Sequence, residues 1–226
     1  MTPLAWPCAA PGGSGEEFAL VAGPPDARAR VLIVPALFEE ANRTRRMLVE
    51  TMRALAAQGV ASVLADLPGV NDSLAPLDKQ DLTSWRAAIA AATGHFAVTH
   101  ILSLRGGVLV SPTHLPGWQL EPLAGAQVLR PMFRARTVSA REDGRAETMD
   151  GLLVEARQAG IEMAGYRLGA AMVRDIEAAG LVEGTTQAVL RLADLGGAAL
   201  WLRSEPGEDA ALSAALAARI VADLAR

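Results

Sequence analysis

A single arginine stands where many α/β enzymes carry a nucleophilic serine. Residues 103–107 read Ser-Leu-Arg-Gly-Gly and continue an apolar run that begins at Thr99. A strand that turns abruptly into a helix at small residues is typical of the G-x-S-x-G elbow, which exposes a serine hydroxyl at the end of a sheet. Arg105 occupies the serine position. Because a guanidinium stays protonated at working pH, it offers no usable nucleophile.

The remaining nucleophiles and bases do not complete a triad along the chain. An elbow-type triad runs in the order serine, then Asp or Glu, then histidine. The histidines are His95, His100 and His114, and none follows the last predicted strand. Ser103 precedes the tip of the bend by two residues and is expected to point back along the strand. The sequence therefore predicts no catalytic residue of this type.

Two interpretations of Arg105 are open. It could hold an anion at a helix N-terminus, together with free backbone N–H groups such as that of Gly106. It could instead pair with Glu39, Glu40 or Asp72, because leaving a buried charge unpaired costs on the order of 3–5 kcal/mol. We favour the second interpretation, since carboxylates are abundant on the neighbouring segments.

The segment after the predicted strand 31–34 supplies the other half of the candidate site. Its Phe38 N–H is a candidate donor to an oxyanion. Glu39 and Glu40 beside it would repel a developing oxyanion, which argues against acyl transfer. The same two glutamates suit the first turn of a helix, where the macrodipole favours acids.

The composition excludes several classes of function. The 226-residue chain has a formal net charge of −4 and no basic run, so a nucleic-acid surface is not expected. Cys8 is the one cysteine; it permits no internal disulfide and is expected to be an incidental thiol in a loose N-terminal arm. The acids and histidines show no metal-ligand spacing. Residues 69–71 lack the spacing of a phosphate-binding loop, so no nucleotide is predicted either. The sequence thus predicts neither a metal nor another cofactor.

No part of the chain has the pattern of a membrane or secretion segment. No apolar stretch reaches the ~18 residues that a membrane span needs. Residues 1–17 lack a basic start and a continuous apolar core, so they are not a secretion signal. We expect a soluble, cytoplasmic protein.

Strand-like and helix-like patterns alternate along most of the chain. Residues 1–16 are expected to be irregular, residues 108–110 are too short for a helix before Pro112, and residues 183–197 stay undecided. The predicted strands, of which the first two are candidate neighbours, are 18–22, 31–34, 60–65, 99–104, 118–121, 161–166 (strand or hairpin arm) and 198–202. The predicted helices are 44–58 with Asn42 as N-cap, 82–92, 126–136, 148–159, 170–179 and a C-terminal helix whose apolar stripe is Leu212, Leu216, Ile220 and Leu224.

This alternation predicts one domain, residues 1–226, with a three-layer α/β/α architecture and a mostly parallel sheet. Strand, helix and strand joined by short links form right-handed parallel units. Residues 126–181 are mostly helical and are expected to be a small insertion over the strand ends, where open α/β sheets usually bind ligands.

Four stretches resemble α/β hydrolases, and more narrowly the second hydrolase-like protein associated with exosortase A systems of bacteria. Residues 35–47 resemble that group's E-E-x-N-x-x-R-R-M segment, and residues 66–73 resemble its D-L-x-G-x-G-D-S loop. Residues 104–107 resemble its elbow, in which arginine also replaces serine, and residues 161–168 resemble its V-E-x-A-G-Y-x-L stretch. Those systems accompany protein sorting and exopolysaccharide production. The resemblance implies a hydrolase fold and a partner in an export or sorting system.

Three functions are open on this basis. The first is a member without catalysis that binds a small anionic ligand or a partner around Arg105. The second is a genuine esterase, thioesterase or peptidase that acts on an acyl substrate, with Glu39 or Glu40 as an unorthodox acid or base. The third is an interaction protein of the export machinery, with residues 126–181 as its docking surface. The residues assigned to ligand binding are Phe38, Glu39, Glu40, Asp72, Arg105 and Gly106.

Overall fold

The computed structural model describes residues 1–226, and one seven-stranded sheet runs through its centre. The strands of this sheet are β1 (Thr2–Pro7), β2 (Glu16–Ala22), β3 (Arg30–Val34), β4 (Ala61–Ala65), β5 (His100–Leu104), β6 (Gly117–Leu120) and β9 (Gln187–Leu190). A separate hairpin consists of β7 (Ile161–Met163) and β8 (Tyr166–Leu168). The helices are α1 (Glu39–Ala57), α2 (Leu82–His95), α3 (Gly125–Glu142), α4 (Met149–Ala159), α5 (Ala170–Ala178), α6 (Leu192–Leu195) and α7 (Ala210–Leu224).

The strand order brings three loops to one edge of the sheet. The order is β1-β2-β4-β3-β5-β6-β9, in which β4, β3, β5, β6 and β9 are parallel and β1 and β2 are antiparallel additions. β2 pairs with β4, so the first two strands predicted from the sequence are not neighbours. Because β4, β3 and β5 are adjacent and parallel, the segments that follow their carboxyl ends meet at the same edge.

Helices cover both faces of the sheet, as the three-layer prediction requires. Alternate residues of β3 point to opposite faces: Val31 and Ile33 pack into the core with α1 and α7, whereas Leu32 and Val34 pack into the core with α2. Helices α3, α4 and α5 pack into the same core as α2. The prediction of a three-layer α/β/α fold with a mostly parallel sheet is confirmed.

The start of the N-terminal arm is part of the sheet, so the prediction that residues 1–16 are irregular is wrong for residues 2–7, whereas residues 8–15 are irregular as predicted. β1 pairs with β2 along its whole length. Its Pro3 and Pro7 lack a backbone donor, which an edge strand tolerates because one side has no ladder to complete. Trp6 is buried, and so is Cys8, which therefore is not a thiol of a loose arm.

Two further element predictions are corrected by packing. Residues 200–202 form a short 3₁₀ turn rather than a final strand, because Leu200 and Trp201 pack into the core beside α1. The last strand of the sheet is β9, which lies in the range that the sequence left undecided. Helix α1 begins at Glu39 with Phe38 as N-cap, so Asn42 lies inside the helix and does not cap it.

The link between β5 and β6 contains no α-helix. Residues 105–109 form a 3₁₀ turn, and the chain then reaches β6 by residue 117. This agrees with the expectation that residues 108–110 are too short for a helix. No helix in the structure is both long enough and apolar enough to traverse a lipid bilayer.

Candidate functional site

The bend after β5 has the backbone geometry of an elbow. Arg105 has φ +53°, a left-handed backbone conformation that is uncommon for residues other than glycine. The two glycines that follow are required by close packing. A Cβ on Gly107 would lie 2.2 Å from the carbonyl oxygen of Pro35, and one on Gly106 would lie 2.7 Å from Val128 Cγ2. Small residues therefore let the bend approach the end of β3.

The guanidinium at the tip of this bend is paired with a carboxylate of the protein. Arg105 Nε and Nη2 donate to Glu40 Oε2 and Oε1, both at 3.1 Å. The side chains are 13% and 21% exposed. The Arg105 guanidinium also lies over the Trp201 ring, 4.5 Å from its centroid. A bidentate pair with a stacked aromatic is the arrangement for which arginine is suited, so the structure selects the paired interpretation, with Glu40 as the partner.

Phe38, opposite the bend, is the second strained residue of the site. Its φ of +56° and ψ of −131° turn the chain from β3 into α1. Its ring is buried and packs against Trp85 and Tyr166, with centroids 5.8 and 5.4 Å away. Left-handed backbone at two non-glycine residues around one spot is a feature that clusters at functional sites.

The other residues assigned from the sequence lie at different distances from this pair. Glu39 accepts a hydrogen bond from Arg43 (2.9 Å) on the solvent side of α1. Gly106 is buried behind the bend. Asp72 is exposed, and neither of the two hydrogen bonds of the Arg105 side chain involves it. Of the three carboxylates considered for Arg105, only Glu40 contacts it.

All four stretches that carry the family resemblance meet at this edge of the sheet. The first stretch, in α1, contacts each of the other three. Arg45 donates to Asp66 Oδ1 of the second at 2.9 Å, and Glu40 accepts from Arg105 of the third. Asn42 donates to the Tyr166 hydroxyl of the fourth at 3.1 Å. One helix therefore organises the site.

A pocket of about 200 Å³ opens beside Phe38. Eight of its eleven lining residues are hydrophobic, and Leu67 and Trp85 belong to its apolar wall. Its polar groups are Asn42, Asn71 and Tyr166, one from each of three of the stretches. Burial raises the pKa of Tyr166, so its hydroxyl keeps its proton and can donate. The pocket suits a small, mainly apolar molecule with one polar end.

The loop that borders this pocket is tied to the sheet by buried polar groups. Asp66 accepts from Asn71 Nδ2 at 2.8 Å as well as from Arg45. Asn71 has φ +52°, a left-handed conformation that asparagine tolerates better than most residues. Further along, the Ser73 hydroxyl donates to Glu17 Oε1 at 2.9 Å. Burial raises the pKa of Glu17, and the nearby Asp66 adds to this effect, whereas the Ser73 hydrogen bond opposes it.

His95, His100 and Ser103 lie away from the elbow tip. Ser103 is buried, and its hydroxyl points to the carbonyl oxygen of Trp118 at 3.5 Å. His100 begins β5, roughly 16 Å from Arg105 at ~3.3 Å per strand residue, and stacks on Trp118. His95 packs against Trp6 and Phe96 at the end of α2.

Sequence reasoning missed three residues of the site. Trp201 was assigned to a strand, Asn42 to a helix cap, and Tyr166 to a hairpin arm without a role. The available signal was that Asn42 and Tyr166 are fixed positions of two of the resembling stretches. The contact between these stretches depends on the path of residues 125–168 over the sheet, which no local pattern reveals.

Two solved structures resemble the chain over most of its length. A protein from Agrobacterium vitis S4 designated a hydrolase matches with a TM-score of 0.54 over 100% of this chain and 98% of that one, at 13% identity. Est1E from Butyrivibrio proteoclasticus, solved with ferulic acid bound, matches with a TM-score of 0.53 over 78% and 74% of the two chains, at 18% identity. No protein-family model and no curated protein matches.

These likenesses establish the fold. The mostly parallel sheet with helices on both faces is an α/β-hydrolase-like fold. At such low identity the comparison carries no activity from those proteins to this chain. Function has to be argued from the residues around Arg105 and Phe38.

Proposed function

We propose that this chain is a non-hydrolytic protein of the α/β-hydrolase fold that binds a small molecule at the strand ends. The observation that carries the proposal is the state of Arg105 at the elbow tip. An acyl-transfer enzyme needs an activated nucleophile there, whereas this position holds a cation bound by Glu40 and stacked on Trp201. The position of His100 supports the same proposal, because this histidine begins the strand at whose other end the tip lies.

The ligand of this proposal is uncharged and mainly apolar, with one hydrogen-bonding end. It occupies the pocket beside Phe38, where the walls are apolar and the polar groups converge from Asn42, Asn71 and Tyr166. The pocket of about 200 Å³ equals roughly seven water volumes, which suits a molecule the size of a small phenol or a short alcohol. An anionic ligand on Arg105 is the weaker proposal, since the anion would have to displace Glu40 from both of its hydrogen bonds.

The binding test fills the pocket from α1. Ala41 lines the pocket, whereas Ala57 is an exposed residue at the end of the same helix. We expect 4-methylphenol and 1-pentanol to show saturation-transfer NMR signals with the wild-type protein and with Ala57→Phe, but not with Ala41→Phe. Equal signals from all three proteins would contradict the proposed location of the ligand.

The activity test separates binding from hydrolysis. Acetyl, butyryl and octanoyl p-nitrophenyl esters should be hydrolysed no faster with the protein than in buffer. A genuine hydrolase that uses Glu39 or Glu40 is the competing function, and its signature is turnover that disappears in Glu39→Ala or Glu40→Ala. Both carboxylate oxygens of Glu40 accept from Arg105, so a role as base would require this pair to open.

We also propose, from the four stretches, that the protein works in the cytoplasm beside an export or sorting system of the exosortase A type. The insertion is the proposed docking surface, and it exposes Val138 and Val154 on α3 and α4. Exchange of these two valines for glutamate should abolish co-purification with components of that system from the native host. The matching exchange at exposed Leu202, outside the insertion, should leave co-purification intact.

A further inference from the structure

A second and larger cavity, of about 480 Å³, lies away from the site described above. It is bordered by α2, by the link between β5 and β6, by the strands β6 and β9, and by residues 180–182. Six of its lining residues matter for its chemistry: Arg86, His114, Gln119, Leu181, Val182 and Gln187. None of them lines the pocket beside Phe38.

The short link between β5 and β6 explains why this space is open. A crossover between parallel strands usually carries an α-helix that packs on the sheet. Here the link forms only the 3₁₀ turn 105–109 and then passes Pro112 and Pro116. No α-helix of the link therefore covers the adjoining face of β6 and β9.

The floor of the cavity is polar. Gln119 and Gln187 are buried there, on the face that also carries Ser103. On the opposite face, Trp118 and Leu120 pack into an apolar core. Burying amide groups costs free energy unless they are hydrogen-bonded. The amides of Gln119 and Gln187 therefore need polar partners, from the protein or from a molecule in the cavity.

The hydrogen bonds of the two glutamines determine which atom is left without a partner. Gln187 Nε2 donates to the carbonyl oxygens of Pro112 (2.7 Å) and Leu115 (3.2 Å), which can only accept. Its Oε1 therefore faces Gln119 and accepts from Gln119 Nε2 at 3.1 Å. This leaves Gln119 Oε1 as an acceptor with no protein donor, on a side chain that is 6% exposed and lines the cavity.

The mouth of the cavity carries a cation and apolar side chains. Arg86 is exposed, and its Nε donates to the carbonyl oxygen of Leu109 at 2.9 Å, whereas its terminal nitrogens form no hydrogen bond within the protein. His114 is exposed at the same mouth. Leu181 and Val182 are 45% and 61% exposed and line the wall.

We propose that this cavity binds a small carboxylate that also carries a hydroxyl or amide N–H. The carboxylate pairs with the Arg86 guanidinium, which matches its planar geometry. The hydroxyl or N–H donates to Gln119 Oε1, and the apolar part of the molecule contacts Leu181 and Val182. The proposal is independent of the function assigned to the pocket beside Phe38.

The test is a binding measurement with lactate, mandelate, N-acetylglycine and glucuronate, by ¹H–¹⁵N NMR titration of the full chain. At least one of the four should bind with a millimolar Kd and shift the side-chain amide signals of Gln119. The Arg86→Gln variant should weaken that binding by about tenfold. The control variant Arg130→Gln removes an exposed arginine on α3, outside the cavity, and should leave the binding unchanged.

The Gln119→Leu variant removes the acceptor, so it should bind the same compound more weakly than the wild type does. Its melting temperature shows whether the variant is folded. Should this variant fail to fold, exposed Arg86 carries the test by itself. No saturable binding of any of the four compounds below about 10 mM would overturn the proposal. Binding that persists unchanged in Arg86→Gln would overturn it as well. The Ala41→Phe variant, in the other pocket, should bind these carboxylates like the wild type.

Discussion

Arg105 and Glu40 form two parallel hydrogen bonds of 3.1 Å, and both side chains are mostly removed from solvent. Attraction between such groups offsets the cost of burying them, so each depends on the other for its stability. At the scale of residues, this mutual dependence is what distinguishes a neutralised cation from one that is free to hold a ligand.

Removing the partner should therefore be costly. We expect Glu40→Gln to lower the free energy of unfolding by about 2–3 kcal/mol, somewhat less than for a fully buried pair, because the Arg105 charge stays in place without compensation. Urea denaturation at neutral pH measures this change. Glu39→Gln is the control: it breaks an exposed pair with Arg43 within α1, worth about 0.3–0.5 kcal/mol. Equal losses in the two variants would contradict the account of Arg105.

Glu17 gives a prediction about pH. Its pKa in the folded protein is raised above the ordinary value of 4.5, chiefly by burial. The folded state therefore holds this proton at pH values where the unfolded chain has released it, and stability falls as pH rises above that value. Glu17→Gln removes the titration, so its stability relative to wild type should improve as pH rises above 4.5 and should level off once the pKa of Glu17 in the folded protein is passed.

Urea denaturation of both proteins across this range gives the difference directly. A difference that stays constant with pH would show that Glu17 titrates normally in the folded protein.

At the scale of elements, the approach of the elbow to the end of β3 positions Arg105 beside Glu40. This approach depends on Gly107, where a Cβ would clash with the carbonyl oxygens of Pro35 (2.2 Å) and Val34 (2.8 Å). The backbone of β3 is held between two parallel neighbours, β4 and β5, and cannot move aside easily.

Gly107→Ala should therefore destabilise the protein by about 3 kcal/mol or more, through overpacking against backbone. Gly94→Ala is the matched control, because Gly94 lies in α2 with nothing within 4 Å of a Cβ. That variant should gain about 0.5–1 kcal/mol from reduced backbone entropy in the unfolded chain. Thermal unfolding of the two variants provides the measurement, and a Gly107→Ala protein as stable as the wild type would contradict the packing argument.

The strands and helices with strong local patterns could be predicted from the sequence. The β-branched run 31–34 and the apolar stripe from Leu212 to Leu224 correspond to β3 and α7. The first strand could not, because Pro3 and Pro7 look like breakers until the strand is known to lie at an edge. Residues 198–202 failed for the opposite reason: a short apolar run fits a strand or a buried turn equally well.

At the scale of the whole molecule, the sequence identifies the site's location better than its contents. The elbow and the acidic start of α1 could be placed at one sheet edge because the strands are parallel. The choice of Glu40 over Glu39 and Asp72 could not, because it depends on the direction of side chains after the bend at Phe38. The pocket also needs Tyr166, which reaches it from a hairpin far along the chain.

The two cavities reflect this same organisation. One lies where α1 draws together the four stretches, and the other lies where the link between β5 and β6 is too short to cover the sheet. The bend at Arg105 is common to the two cavities. It lies near the pocket beside Phe38, and it begins the short link between β5 and β6 that borders the larger cavity.

The central claim, that no serine at this site is nucleophilic, is tested most directly with a fluorophosphonate probe and intact-protein mass spectrometry. A known serine esterase in the same tube confirms that the probe is reactive. We predict that the mass of this protein stays unchanged while the esterase is fully labelled. One covalent adduct per chain, mapped to a serine at the sheet edge around Arg105, would contradict the account.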